Sequence, residues 1–312
     1  MNINIVIPAY NAEKSLKKLL ETIESQHVLD TKVDATSIGV SVVNDASNDA
    51  TANILMQHTS TRLSFKHETN PRNMGRAQSI NAGVKMQPAD YILILDADCE
   101  IPDNNYLAKF LAAISKDRKL VFGAMKDIGE HFWAEYFNAS QTSKSLTDPN
   151  SFSMTNVLIK RDLFESCDGF FPGYESYGFE DRDLILRVVT LIDPKTDMDY
   201  LNKAVLLHDT RESVHSYCTK QFSAGMRSSA VFRSRNLEEY RKTKYAEFDY
   251  DEVRSAKWLA LEVLSFLEKP VRSGAQLLIN SPAAPFPLKH FIVRVVTAIH
   301  YYQGTKQRAN AN

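Results

Sequence analysis

The chain has 312 residues, of which 44% are hydrophobic and 24% are charged, values that are typical of a soluble globular protein. Its formal net charge of −1 excludes the overall basic field that nucleic-acid-binding proteins use, so we expect no nucleic-acid partner. The three cysteines are far apart and odd in number, which excludes a disulfide framework and a zinc site with the usual spacing.

The N-terminal residues and the hydropathy of the chain predict the subcellular location of the protein. The first residues, MNINIVIPAYN, lack the basic region and the long apolar core of a secretory signal. No apolar stretch reaches the length of about 20 residues that spans a bilayer as a helix. We therefore expect a cytoplasmic protein, and a peripheral position at the inner face of the membrane stays open.

Short apolar runs alternate with helical periodicity over the first hundred residues. Strands are predicted over residues 3–7, 38–43, 63–67 and 91–95. Helices are predicted between them, over residues 12–26, 50–59 and 76–86. The order β-α-β-α-β-α-β is typical of an α/β protein with a parallel sheet and right-handed crossovers.

The pattern is less regular in the rest of the chain. The predicted elements are a helix over 104–115, a strand over 121–125, a strand and the start of a helix over 157–164, a helix over 180–191 and a strand over 201–207. Residues 126–155 show no clear period and are predicted to form a loop-rich acceptor region. Only helices are predicted after His215, over 217–233, 255–267 and 290–302. The predicted domains are therefore 1–215 and a helical region, 216–312.

Two carboxylates stand at the end of the fourth predicted strand. Asp96, Ala97 and Asp98 directly follow its apolar run. In an open α/β sheet the ligand crevice lies at the carboxyl ends of the strands. Carboxylates two residues apart can hold a hard divalent cation together with the oxygens of a substrate phosphate. The motif predicts a metal–phosphate site, and the alternative is an acidic turn.

Four other polar segments follow strands or begin helices. They are Pro8-Ala9-Tyr10-Asn11, Asn44-Asp45-Ala46-Ser47-Asn48-Asp49, Asn73-Met74-Gly75-Arg76 and Gly178-Phe179-Glu180-Asp181-Arg182-Asp183. Because such positions meet at one rim of a parallel sheet, we expect these segments to converge. Together with Asp96–Asp98 they resemble the family 2 glycosyltransferases over roughly residues 1–210. Asn44 and Ala46 depart from the family pattern, which often has Asp and Gly there.

The resemblance implies the GT-A fold, a Rossmann-like, mostly parallel central sheet flanked by helices, here with a C-terminal helical extension. It makes residues 1–215 the catalytic domain. Pro8, Ala9, Tyr10 and Asn11 would line the pocket for the nucleotide base, with Tyr10 stacked on a pyrimidine. The alternative for this segment is a Pro that ends the strand and a half-buried Tyr.

The resemblance also assigns the rest of the donor site. Asp45 would accept a hydrogen bond from the ring N–H of uracil, and its alternative is a turn-forming Asp. Arg76 would reach the diphosphate, and its alternative is a solvated charge at a helix end. Asp96, with Ala97 beside it, would bind the ribose or reach the metal through water.

The metal ligands implied by the resemblance are Asp98 and His208, and the ion is Mn²⁺ or Mg²⁺. An imidazole ligand suits Mn²⁺ better than Mg²⁺. The ion would bridge the two donor phosphates and neutralise the charge that grows on the leaving diphosphate. The alternative for His208 is a structural histidine.

Asp181 is the general base that the resemblance implies, with Glu180 orienting the acceptor. The base would take the proton of an acceptor hydroxyl as that oxygen attacks the anomeric carbon. The alternative is a pair of acids that complement the dipole at a helix N-terminus. No covalent nucleophile is required, so the reaction would be a single displacement with inversion.

The predicted function is transfer of a sugar from a nucleotide sugar, expected to be UDP-linked, to a hydroxyl of a saccharide or lipid-linked acceptor in polysaccharide or glycoconjugate biosynthesis. Three alternatives stay open. A nucleotidyltransferase of related fold would need a basic, glycine-containing loop, which residues 8–12 lack. The others are a non-catalytic sugar-nucleotide-binding module and a glycoside hydrolase with paired carboxylates.

The region 216–312 lies outside the resemblance. Its helices carry a basic run between residues 220 and 244 and several apolar positions. We expect them to pack on the catalytic domain or on a second subunit, which would make a homo-oligomer. The alternative is docking at an anionic bilayer.

Overall fold

A computed structural model describes residues 1–29, 37–210, 212–253 and 256–311. The chain forms two compact units. The first unit comprises Met1–Gly129, Phe137–Pro172 and Asp181–Asp209. The second unit comprises Glu130–Tyr136, Gly173–Glu180 and the described part of Thr210–Asn312. The functional assignment of the predicted domains 1–215 and 216–312 stays a prediction.

The first unit is built on an eight-stranded sheet with the order β3-β2-β1-β4-β7-β6-β8-β5. Its strands are β1 Asn2–Ala9, β2 Ser37–Asn44, β3 Ser64–Thr69, β4 Tyr91–Ile94, β5 Cys99–Glu100, β6 Leu120–Asp127, β7 Val157–Lys160 and β8 Met198–His208. Its helices are α1 Leu16–Glu24, α2 Thr51–Gln57, α3 Arg76–Met86, α4 Tyr106–Ile114, α6 Arg161–Ser166, α7 Glu180–Val189 and α8 Pro194–Asp197, with short 3-10 turns at His27–Leu29 and Pro149–Ser151. Helix α5, Phe132–Gln141, is shared between the two units.

The first half of the sheet is parallel, as predicted. Strand β1 pairs in parallel with β2 and β4, and β2 pairs in parallel with β3. The core on this sheet includes Ile5, Ile7 and Leu93, each fully buried. Strand β4 is buried at all four positions, and its sequence is continuously apolar, as expected of a strand covered on both faces.

The second half of the sheet is mixed. Strand β7 runs antiparallel to β4 and β6, β5 runs antiparallel to β8, and β6 and β8 are parallel. The predicted α/β class with a central sheet flanked by helices is confirmed, and the antiparallel pairs are those of β7 with its two neighbours and of β5 with β8. Hydrophobic periodicity identifies a buried strand but carries no information on its direction, so the sequence could not reveal this reversal.

Helix α3 is held close to the sheet and places Arg76 at the rim. The side chain of Asn4 donates a hydrogen bond to the carbonyl of Gly83 at 3.1 Å. A Cβ atom on Gly83 would lie 2.6 Å from the side chain of Val6, so only glycine allows this approach. Arg76 is the first residue of the helix, at the end where the polar segments gather.

The second unit is helical after residue 213, apart from short turns and loops. Its helices are α9 Val214–Ser223, the π-helix Ala224–Ser228, α10 Ser229–Arg235, α11 Leu237–Arg241, the 3-10 turn Ala246–Phe248, α12 Ala256–Phe266, α13 Glu268–Asn280 and α14 Phe286–Ala311. The first residue of the predicted helix 255–267, Ser255, lies outside the described residues. Helix α13 is absent from the predicted helices, and it lies directly before the Pro-rich stretch 281–287.

Residues 126–155 are more ordered than predicted, because they include α5. Phe132 and Trp133 are buried in the second unit against Val214, Val293 and other apolar residues. Their aromatic side chains, rather than a helical period, stabilise this segment. In the described residues no helix combines the length and the hydrophobicity needed to cross a membrane.

Candidate functional site

A cleft of about 310 Å³ opens at the rim of the first unit. It is lined by Pro8, Ala9, Tyr10, Asn11, Ala12, Ser15, Asp45, Arg76, Ser79, Asp96, Ala97 and Asp98. The structure thus brings together every residue predicted to bind the nucleotide sugar, along with one predicted metal ligand. The role of each residue at a ligand stays a prediction.

The loops after β1 and β2 are tied to each other at the mouth of this cleft. The side-chain oxygen of Asn11 accepts a hydrogen bond from the backbone of Asn48 at 2.9 Å, and the Asn11 backbone donates to Ser47 Oγ at 2.9 Å. Asn11 and Ala46 have positive φ angles of 51° and 57°. Tyr10 is 49% exposed, so one face of its ring is available for stacking.

Asp45 organises the loop that leads into α3. Its carboxylate is almost fully buried and accepts hydrogen bonds from the backbone N–H groups of Met74 at 2.7 Å and Gly75 at 2.8 Å. The side chain of Asn70 donates a third hydrogen bond at 2.7 Å. Sequence reasoning missed this structural role. A bond from Asp45 to a uracil ring stays a prediction.

Arg76 joins the two acidic motifs of the sequence. Its guanidinium donates to Asp96 Oδ1 and to Asp181 Oδ1, each at 2.8 Å. It also donates to the carbonyl of Met154 and to Thr155 Oγ1, each at 2.9 Å, and Thr155 in turn donates to Asp96 Oδ2 at 2.7 Å. This network fixes Asp181 beside Asp96, although the two residues are far apart in sequence.

The two predicted metal ligands face each other. His208 Nε2 lies 3.0 Å from Asp98 Oδ2. The register of the sheet explains this proximity, since Cys99 pairs with His208 and Asp98 immediately precedes Cys99. The side chain of Asp98 is 62% exposed, so its carboxylate can also meet a ligand from solvent.

Asp127 contacts His208 from the other side, and no pattern in the sequence distinguishes this residue. It is the direct partner of His208 in the β6–β8 register, and its fully buried Oδ2 lies 3.4 Å from His208 Nδ1. Burial disfavours the charged imidazole, but the carboxylates of Asp98 and Asp127 outweigh it and raise the pKa of His208. A carboxylate on the far nitrogen is the usual support of a metal-binding histidine.

These donors fit a hard or borderline divalent ion. One carboxylate oxygen and one imidazole nitrogen suit Mn²⁺, and a carboxylate suits Mg²⁺. Within the part of the chain that the structure describes, no group of three or more His, Cys, Asp and Glu side chains could enclose an ion. An ion held by Asp98 and His208 would therefore need further oxygen ligands from a substrate or from water.

Glu180 and Asp181 form the first turn of α7, as predicted. The two residues before the helix both have left-handed backbones, with φ angles of 104° at Gly178 and 71° at Phe179. A positive φ is costly for a bulky aromatic residue and often accompanies a functional turn. The ring of Phe179 stacks on Phe232 at a centroid distance of 5.1 Å, which stabilises this conformation.

Lys144 is a further charged residue near Asp181 that the sequence did not reveal. Its ammonium lies 5.4 Å from the centroid of the Phe152 ring. Burial lowers the pKa of Lys144 to about 8, and the charge of Asp181 opposes only part of that shift. Lys144 belongs to the aperiodic segment, where one lysine among polar residues carries no distinguishing pattern.

The fold is similar to those of solved glycosyltransferases. The structure of S. aureus TarS 1-349 in complex with UDP-GlcNAc aligns with a TM-score of 0.57 at 17% identity, covering 100% of this chain and 93% of that chain. The mannosyltransferase PcManGT from Pyrobaculum calidifontis, in complex with GDP-Man and Mn²⁺, aligns with a TM-score of 0.62 at 15% identity, covering 96% and 86%. At such identities the likeness shows the fold alone, which confirms the predicted GT-A class.

Curated relatives match over shorter stretches. Dolichyl-phosphate beta-glucosyltransferase ALG5D of Trichomonas vaginalis is 32% identical over 120 residues, which are 38% of this chain and 37% of that protein. Glycosyltransferase AglE of Haloferax volcanii is 22% identical over 180 residues, 55% of this chain and 56% of that protein. The chain thus spans between about a third and three-fifths of the length of these relatives. Residues 4–176, more than half of the chain, match the family model described as Glycosyl transferase family 2, and the chain therefore belongs to that family.

Proposed function

We propose that the protein is a metal-dependent, inverting glycosyltransferase that moves a sugar from a nucleotide sugar to a hydroxyl group. The observation that carries this proposal is the Arg76 network, which joins the acid of the donor cleft, Asp96, to the acid of the α7 motif, Asp181. A transferase needs a donor-binding group and a base side by side, and Asp96 and Asp181 would take these two roles.

We infer that the donor is a UDP-sugar. Tyr10 is exposed at the cleft and can stack on a pyrimidine ring. Solved structures of similar fold contain UDP-GlcNAc and GDP-Man, which supports a nucleotide sugar but does not distinguish uracil from guanine. The acceptor would be a saccharide or a lipid-linked molecule, in keeping with the dolichyl-phosphate glucosyltransferases among the relatives.

Asp98 and His208 would hold Mn²⁺ or Mg²⁺. When bound, the ion would place positive charge against the diphosphate as it departs. Asp127 would accept a hydrogen bond from Nδ1–H of His208, which leaves the lone pair of Nε2 to bind the ion. Donor phosphates and water would complete the ligand set.

Asp181 would act as the general base. An acceptor hydroxyl attacks the anomeric carbon while its proton passes to a carboxylate oxygen of Asp181, and the bond between that carbon and the diphosphate oxygen breaks. Arg76 positions Asp181 in the absence of substrate, and Glu180 would orient the acceptor. One displacement of this kind inverts the configuration at the anomeric carbon.

The helical region would bring the enzyme to its acceptor or to a second subunit. Large apolar side chains of α12 to α14 are exposed, including Phe266 at 90%, Leu277 at 75% and Phe291 at 59%. This supports either a homo-oligomer or peripheral contact with the inner face of the membrane in the cytoplasm. Flotation with anionic liposomes would distinguish the membrane contact from an oligomer.

A donor panel tests the proposed function. Nucleoside diphosphate release is measured for UDP-, GDP- and other nucleotide sugars, with Mn²⁺, with Mg²⁺ and with chelator. We expect release from a UDP-sugar that stops on chelation and returns on addition of metal. Consumption of a nucleoside triphosphate would indicate a nucleotidyltransferase instead. Sugar release from a simple glycoside without any nucleotide would indicate a hydrolase.

A further inference from the structure

The second unit contains a cleft of about 300 Å³ that the proposed reaction does not use. Its aromatic walls come from separate parts of the unit: Tyr136 lies on α5, Tyr217 lies on α9, and Tyr245 and Phe248 lie at the 3-10 turn Ala246–Phe248. Helix α14 supplies the remaining side, with Arg294. We call this site the α14 cleft.

The aromatic walls are held in place by one another. The Tyr136 ring lies 5.2 Å from the ring of His290 and 6.5 Å from that of Tyr217, centroid to centroid. Tyr245 packs at 4.8 Å on Tyr301, which is fully buried. Rigid, partly exposed rings can receive a ligand without losing conformational entropy, and this is how small-molecule sites are usually built.

Hydroxyl groups are available along the same walls. Thr297 Oγ1 donates to the carbonyl of Val293 at 2.7 Å, so Tyr217 Oη donates to Thr297 Oγ1 at 3.2 Å and keeps its lone pairs for a ligand hydroxyl. Burial raises the pKa of the Tyr217 hydroxyl well above its ordinary value, and burial raises that of Tyr245 as well. Both phenols therefore stay neutral, so that Tyr245 can donate a hydrogen bond to a polyhydroxylated ligand and Tyr217 can accept one.

The charge of the α14 cleft is positive. Lys244 and Arg294 both line it, and in the described part of the chain the side chain of neither forms a hydrogen bond or an ion pair. The acid of the cleft, Glu247, already accepts a hydrogen bond from Lys257 at 2.7 Å. That bond from Lys257 holds the pKa of the Glu247 carboxyl below its usual range, and the charges of Lys244 and Arg294 lower it further without forming a hydrogen bond to it. Two cations thus remain available to an anion from solution.

We infer that the α14 cleft binds a sugar that carries a phosphate group. The sugar ring would pack on the aromatic walls, and its hydroxyl groups would bond the phenols and Thr297. Arg294 and Lys244 would hold the phosphate, Arg294 through its fork of N–H donors. The volume lies near the lower end of ligand pockets, about 300–1,000 Å³, so it suits one sugar unit rather than a long polymer segment.

Binding here does not depend on the proposed transferase activity, because every lining residue belongs to the second unit. The phosphate could be a terminal monoester or a diester within a glycan chain. Both present the same chemistry to Arg294 and Lys244. The probes below distinguish them.

Calorimetric titration of the full chain tests the inference directly. The probes are glucose 6-phosphate, its methyl phosphodiester, glucose and inorganic phosphate. We expect one of the two phosphorylated sugars to bind more tightly than both glucose and inorganic phosphate. The double variant Lys244→Ala, Arg294→Ala should weaken that binding by about tenfold or more, since it removes two charge-assisted contacts.

Matched variants make the result decisive. The double change Arg241→Ala, Lys242→Ala removes the same two charges from exposed positions outside the cleft and should leave affinity unchanged. Equal affinity in both double variants would overturn the inference. Inorganic phosphate binding as tightly as the sugar phosphates would show an anion site without sugar recognition, and no binding at millimolar concentration would also refute it. Circular dichroism confirms that each variant is folded.

Discussion

The Arg76 network leads to a specific prediction about stability. Arg76→Ala removes the hydrogen bonds to Asp96, Asp181, Met154 and Thr155, and it leaves the two acids close together without their shared cation. Because like charges repel and both acids are partly buried, the folded state should lose free energy. Arg76→Lys keeps the charge but cannot donate in the four directions of the guanidinium, so it should lose less.

The magnitude follows from the burial of these groups. A hydrogen bond to a charged partner contributes about 1.5–3 kcal/mol, and a neutral one about 1 kcal/mol. Removing one partner of a fully buried ion pair costs about 3–5 kcal/mol. The side chains of Arg76, Asp96 and Asp181 are 24%, 27% and 23% exposed, so solvent screens part of this loss. We therefore expect Arg76→Ala to cost about 2–4 kcal/mol.

Urea unfolding followed by circular dichroism measures this cost from the midpoint and slope of the transition. Lys17→Ala is the control, because Lys17 is an exposed residue of α1 and should change stability by less than about 0.5 kcal/mol. A loss in Arg76→Ala no larger than that of Lys17→Ala would refute the reasoning. It would mean that the contacts between Arg76 and the two acids do not stabilise the first unit.

Two further predictions concern Lys144 and the packing of α14. The pKa of Lys144 is about 8 in the folded protein and 10.5 in the unfolded chain. Between pH 8 and pH 10.5 the unfolded state therefore binds more protons than the folded state, and the free energy of unfolding should rise as the pH is raised through this interval. Between pH 7 and pH 10 the free energy of unfolding should rise by about 1–2 kcal/mol more than in Lys144→Met, which is half or less of the value that the full pKa shift would give. The measurement is the urea midpoint of both proteins at the two pH values. The same change of midpoint with pH in both proteins would contradict the prediction. Gly304→Ala should destabilise by at least about 1–3 kcal/mol, since its Cβ would lie 2.2 Å from the carbonyl of Phe222. The control is Gly274→Ala in α13, where an added Cβ would have no atom within 4 Å, so this change should be neutral or stabilise by up to about 1 kcal/mol. Equal melting temperatures of the two variants would contradict the close packing at Gly304.

The helices and strands that could be predicted are those whose own residues carry an apolar period or an apolar run. Helix α3 has the predicted bounds, Arg76–Met86, because its apolar period and the preceding Gly75 are both local signals. The strands β1, β2 and β4 are predicted correctly because each contains a short, mostly apolar run. The direction of β7 and the helix α5 depend on contacts with distant residues, which no local pattern contains.

The same distinction applies to the candidate site. Residues that directly follow a strand, such as Tyr10 and Asp96, were expected at the rim, and they line one cleft. Asp127 also ends a strand, but its importance comes from the β6–β8 register that pairs it with His208. Lys144 lies near Asp181 because of the path of the aperiodic segment 126–155, which no sequence pattern predicts. Such partnerships require the tertiary structure.

The proposed role of Asp181 can be tested most directly with Asp181→Asn, which keeps the size of the side chain and removes its basicity. Transfer to acceptor and binding of the nucleotide sugar are measured separately on the same preparation, with melting temperature as the test of folding. We predict that transfer falls by about 100-fold or more, the usual effect of losing a general base, while donor affinity changes little. Retained transfer, or a loss of donor affinity that accounts for the lost transfer, would contradict the assignment of Asp181 as the base.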